Sequence, residues 1–154
     1  MSIVKGLATN LISWATEGIS SPAVAERYKN HFGSPDRIRT MEGKSRRTPY
    51  VLVQYASGQF TPEDTTSFVT RDRESFTILV CVSDFVSDEN EEDDVLTLID
   101  QVRAAIQGQR STGTGFIAEP WNIESAELEF QTDMMTVYSM TTTVVLIREH
   151  NEAS

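Results

Sequence analysis

Two histidines, one cysteine, one dense acidic run and one glycine-rich loop are the features of this chain that could carry chemistry. His31 lies in a polar segment and His150 lies near the C-terminal end. Neither has a second His or Cys at metal-ligand spacing, and proton transfer needs a partner that positions the imidazole. Cys81 sits inside the apolar run Phe76–Val82, where a thiol behaves as a small, inert hydrophobe. Asp88, Asn90 and Glu92 alternate as the first calcium ligands of an EF-hand do. The sixth and twelfth positions are Asp93 and Ile99, where that loop requires Gly and Glu. Gly108 and Gly113 have the spacing of a phosphate-binding loop. Thr114-Gly115 replace its Lys-Ser/Thr pair, however, and the segment follows a helix instead of opening one. No Gly-x-Ser-x-Gly elbow occurs. The residues therefore predict no catalytic centre, no metal site and no cofactor. The expectation is a protein that is not an enzyme.

Charge points to surfaces. The chain has 154 residues, enough for one domain with a substantial core, and a net charge of −10. A general nucleic-acid reader needs the opposite sign. Residues 1–62 hold eight Lys/Arg and four Asp/Glu, whereas residues 63–154 hold five and 19. A chain that is positive at one end and negative at the other suits head-to-tail association of copies. The basic cluster is Lys44, Arg46 and Arg47; the acidic one includes Asp88, Glu89, Glu91 and Glu92. Charge alone selects these seven residues as contacts between subunits or with a partner. No apolar run reaches the ~18 residues of a membrane span, and one cysteine suits a reducing compartment.

The elements that must position these groups follow from periodicity. Ile3, Leu7, Leu11 and Trp14, with Val4, Ala8, Ile12 and Ala15, make one apolar stripe on a helix over 3–17 that Gly18 would stop. Ser21-Pro22 reads as the start of a short helix through Tyr28. An edge strand near 36–42 and an exposed loop at 44–48 come next. Residues 50–56 are apolar on both faces, as an inner strand is. Residues 57–66 read as a polar loop. Phe76, Ile78, Val80 and Val82 alternate through a long strand, with Arg71–Glu74 as a solvated bend or a turn before it. The acidic run opens a helix carrying Val95, Leu98, Ile99, Val102 and Ile106, stopped by Gly108. After a loop at 108–115, Ala126, Leu128 and Phe130 mark a half-buried strand. A turn at 132–135 leads to a Thr/Val-rich strand over 136–148, which could pair with a neighbouring copy if it lay at an edge. Residues 149–154 read as a flexible tail. Hairpin-linked strands with helices that share a face predict an α+β fold over 1–154: a mainly antiparallel sheet with two principal helices packed on it.

This order resembles the tail terminator, or tail-completion, proteins of long-tailed bacteriophages, the Mu-like group above all. The opening amphipathic helix carries the likeness, together with Pro-Tyr-Val-Leu-Val-Gln-Tyr at 49–55 and Phe-Thr-Ile-Leu-Val-Cys-Val at 76–82. So do the helix end Leu-Ile-Asp-Gln-Val-Arg-Ala-Ala-Ile-Gln-Gly at 98–108 and the two final strands. The resemblance implies a structural virion protein assembled in the host cytoplasm and located at the head-proximal end of the tail. Six copies would form a homohexameric ring on the tail tube, end its polymerisation and present the docking surface for the head. The implied partners are the chain itself, the tail tube protein, the head–tail connector or neck protein and, in a contractile tail, the sheath. DNA would only pass through the lumen, and no membrane is involved. Two other readings stand beside it: a neck or head–tail joining protein, and, from a different class, a small cytosolic ligand-binding domain or enzyme.

Overall fold

The computed structural model describes residues 2–19, 24–27, 50–63, 65, 68–83, 91–131 and 135–150. Its elements in chain order are α1 (Ile3–Gly18), β1 (Val24–Arg27), β2 (Tyr50–Pro62), β3 (Val69–Ser83), α2 (Glu91–Ile106), β4 (Phe116–Ala118), β5 (Asn122–Gln131) and β6 (Met135–Glu149). They form one sheet in the order β1-β2-β3-β6, with β4 and β5 end to end along the outer side of β6. Every pairing is antiparallel except that of β1 with β2. The fold is the α+β arrangement expected.

Alternation along β3 builds the core. Phe76, Ile78, Val80 and Val82 face one side and pack with Val51 and Val53 of β2 and Met140 and Val144 of β6. Both helices cover that side. The α1 stripe buries Leu7, Ala8, Leu11 and Ala15, and α2 buries Leu98, Val102 and Ile106. Ser2 caps α1, its hydroxyl accepting from the Lys5 amide at 3.2 Å. On the other face Tyr50, Leu52, Leu79, Cys81, Met135 and Val137 make a second buried cluster. That is why residues 50–53 read as apolar on both sides. Trp121, which follows Pro120, is fully buried beneath Trp14 and Phe76, at ring-centroid distances of 6.3 and 5.7 Å. Its indole N–H donates to Ser111 Oγ at 2.9 Å, the partner a buried indole requires.

Gly18 ends α1 by contact, not by a left-handed turn. A Cβ there would run into the Ala105 methyl and lie 3.3 Å from the Gln101 carbonyl oxygen, so the glycine is what lets α1 close on α2. Gly108 is the true left-handed stop, at φ +84°.

Several expectations are corrected. Val24–Arg27 is a strand, not part of a helix: it pairs in parallel with Tyr50–Val53, and sheet pairing outweighs a weak local helical preference. The loop expected at 57–66 is strand through Pro62. A bulge between Tyr55 and Ser57 is followed by pairing of Ser57–Pro62 with Thr70–Ser75. Arg71–Glu74 is not a bend but part of that ladder. β6 is not an edge, because β3 and the β4–β5 pair take its two sides. β5 starts at Asn122, and Ala126 and Leu128 are exposed, so the expected half-buried face is open. The strand β6 takes in Glu149, and the His150 amide donates to the Phe68 carbonyl at 2.6 Å. The strand and loop expected at 36–42 and 44–48 lie outside the described residues.

Candidate assembly surfaces

Beyond Tyr55, β2 leaves the helix-covered core and is exposed on both faces, apart from the half-buried Gly58. The facing stretch of β3 is not all wet. Asp72 and Glu74 continue the alternation of Phe76, Ile78 and Val80, so they point to the core side, and each is only 2% exposed. Asp72 lies between Phe60 of β2 and Leu146 of β6; Glu74 lies between Gly58 and Val144. Gly58 makes this enclosure possible. A Cβ at that position would strike the Tyr55 hydroxyl and the Phe60 ring, and would lie 3.1 Å from Glu74 Oε1.

The two carboxylates are incompletely partnered. Asp72 Oδ1 and Glu74 Oε2 are buried with no hydrogen-bond partner. Arg148 Nη1 stands 3.9 Å from Asp72 Oδ2, close enough for attraction but beyond a hydrogen bond. The Tyr55 hydroxyl donates to Glu74. Burial pushes Glu74 above the ordinary glutamate range, and the neighbouring Asp72 charge adds to this. The Tyr55 hydrogen bond and Arg148 oppose it. Burial and the adjacent Glu74 raise the Tyr55 phenol to about 12. A cavity of about 400 Å³ lined by Phe60, Thr70, Asp72, Arg148 and His150 reaches Asp72 from the side; Glu74 is not part of its lining. His150 Nε2 is 2.8 Å from Thr70 Oγ1.

The opposite face of the same strands carries ordinary surface ion pairs. Arg71 meets Glu63 at 2.7 Å and Glu119 at 3.2 Å, and Arg73 meets Glu124. Glu124 also accepts from the Thr143 hydroxyl at 3.0 Å. These pairs tie the β4–β5 junction across β6 to β3. Half-exposed as they are, they add little stability.

The second surface is the outer edge of β5. Among the described residues no strand pairs with that edge, and residues 124–129 are all exposed. The strand has 10 residues, so the edge runs ~34 Å at ~3.4 Å per residue. Leu128 is 54% exposed and, on β4, Ile117 is 72% exposed. Glu127 and Glu129 flank Leu128, the charge pattern that keeps an open edge from pairing indiscriminately.

The residues selected by charge are not brought together by the described structure. Lys44, Arg46, Arg47, Asp88 and Glu89 lie outside it. Glu91 and Glu92 open α2, and their side chains are not described. Asp72 and Glu74 were missed because a four-residue charged run suggests solvent. The signal that finds them is their phase with Phe76 and Ile78. A further cleft of about 760 Å³ lies between the start of α1 and residues 112–116, lined by Ile3, Leu7 and Phe116 together with Ser, Thr, Asn and Gly residues, with Lys5 as its charged residue. Among the described residues no group of three or more His, Cys, Asp or Glu is placed to hold a metal ion. Cys81 is buried, its thiol raised to about 12 by burial.

Comparison with solved structures finds this architecture in a virion. A chain from the structure of the virion of a native gene transfer agent particle superimposes with a TM-score of 0.59, over 95% of this chain and 98% of that one. The two are 10% identical, so the likeness is one of fold. Neither a family model nor a curated protein matches the sequence.

Proposed function

We propose that this chain is a non-enzymatic structural virion protein of the tail-terminator kind. It forms a homohexameric ring at the head-proximal end of the tail tube, ends tube polymerisation and presents the docking surface for the head connector or neck. The observation that carries the reading is the end-to-end fold likeness to a gene transfer agent virion chain. The fold likeness supports a virion protein; the terminator role rests on the order and texture of the segments, which resemble those of phage tail terminators. A ring of identical copies needs two different complementary surfaces on each subunit. The open, acidic edge of β5 suits one of them. The basic run Lys44, Arg46 and Arg47 suits the other, with the acidic residues Asp88, Glu89, Glu91 and Glu92 completing the charge complement. Carboxylates that face the lumen would repel DNA and let it slide through. A stable subunit contact of this kind buries about 800 Å² per partner.

The test is absolute mass by light scattering over a concentration series, followed by negative-stain imaging with and without purified tail tubes. A closed ring, or caps on tube ends, is the expected result. A chain that stays monomeric and leaves tubes growing in its presence overturns the reading. Binding to the connector but not to tubes would make it a neck protein instead. In the assembling protein, Arg46→Glu with Arg47→Glu should weaken the ring while the monomer stays folded.

A further inference from the structure

We propose that the cavity lined by Asp72, with Glu74 next along the same strand face, is a socket for an arginine side chain from a second copy of this chain, supplied by its Arg46–Arg47 run. The inference deepens the ring reading and rests on it for the identity of the occupant. Three observations carry it. First, two carboxylate oxygens, Asp72 Oδ1 and Glu74 Oε2, are buried without a hydrogen-bond partner, on residues each 2% exposed. A buried acceptor in that state is costly, and a pair of them on one strand face repel each other. Arg148, at 3.9 Å from the other Asp72 oxygen, offsets part of that charge but bonds to neither orphan. Second, the cavity opens onto Asp72 and is bordered by Phe60, which is 62% exposed. A planar guanidinium can stack on such a ring while its N–H groups reach a carboxylate; an ammonium or a metal ion makes poorer use of this lip. Third, the chain carries its positive charge in residues 1–62 and its negative charge beyond them, and Arg46-Arg47 lie in its densest basic run. A donor on one copy and a socket on the next form the heterologous contact that a ring requires.

A peptide spanning residues 43–49 tests the socket directly, titrated by calorimetry into the full chain at a concentration where it is monomeric. It should bind the wild type, and Asp72→Asn should weaken it about tenfold or more. The same isosteric change should raise the thermal midpoint of the monomer, because it removes a buried charge that Arg148, at 3.9 Å, offsets only in part. It should also weaken self-association. Glu74→Gln serves as the second variant and should shift in the same directions. Equal peptide binding by wild type and Asp72→Asn, or none by the wild type, overturns the proposal. So does a lower melting midpoint in Asp72→Asn, which would make Asp72 simply the partner of Arg148. If the wild type forms rings and Asp72→Asn forms them as tightly, the socket falls and the ring reading stands. If peptide binding depends on Asp72 but no ring forms, the reverse holds.

Discussion

Glu74→Gln should stabilise the isolated subunit, and by an amount that grows with pH. Glu74 is almost fully buried, one carboxylate oxygen has no partner, and the Asp72 carboxylate shares its strand face. Burial raises its folded-state value above the ordinary one. The sign follows from proton counting. Below the unfolded-state value both states hold the proton, and Gln and Glu are nearly equivalent. As pH rises past that value the unfolded chain releases its proton while the folded chain keeps it, so wild-type stability falls until pH passes the folded value. The variant lacks this loss. Tyr55 still has an amide oxygen to donate to, so its hydrogen bond survives. The gain comes from the carboxylate charge that Gln no longer brings into the fold, about 1–3 kcal/mol at pH 7, since the amide has the same shape but no charge to desolvate. For a chain of this size it corresponds to roughly 2–4 °C in melting midpoint per kcal/mol. Urea titrations of wild type and variant between pH 3.5 and pH 8, on dilute monomer, read it out. A difference that is flat across that range, or an advantage of the variant smaller at pH 7 than at pH 4, refutes the account of a strained carboxylate.

Three smaller outcomes follow from other parts of the molecule. Gly18→Ala should destabilise by about 1–2 kcal/mol despite the ~1 kcal/mol helix-propensity gain, because the new methyl meets Ala105; chemical denaturation should show Ala105→Gly restoring much of the loss. Leu128→Lys should change monomer stability by less than ~0.5 kcal/mol, since the side chain is already open, yet weaken any assembly that uses the β5 edge, as light scattering would show. Cys81 should resist a thiol reagent at pH 8 in the native protein and react at once in denaturant, because burial holds its thiol near 12 and out of reach.

The amphipathic helix at 3–17, the inner strand at 50–53, the helix ending at Gly108 and the long final strand were legible because each carries a strong local period. Burial of one face imposes such a period on the sequence itself. The hidden features are those in which a local signal is weak or points the wrong way. Val24–Arg27 becomes a strand only because Tyr50–Val53 offers it a ladder. Ser57–Pro62 looks like a loop, since glycine, serine and proline favour turns, and it is strand only because β3 runs beside it.

Asp72 and Glu74 are the sharpest case. Carboxylates read as solvent-facing, and nothing local says that Tyr55, Phe60 and Leu146 will close over them. The same holds for the surfaces. By itself the sequence determined an acidic chain with a positive first part and the periods of an α+β fold, because composition and periodicity are properties of the chain alone. Only the tertiary structure decided that β6 is central, that no described strand pairs with the outer edge of β5, and that two carboxylates are sealed, one of them lining a cavity. Strand order and burial are relations between segments far apart in sequence, and they come into being only when those segments meet.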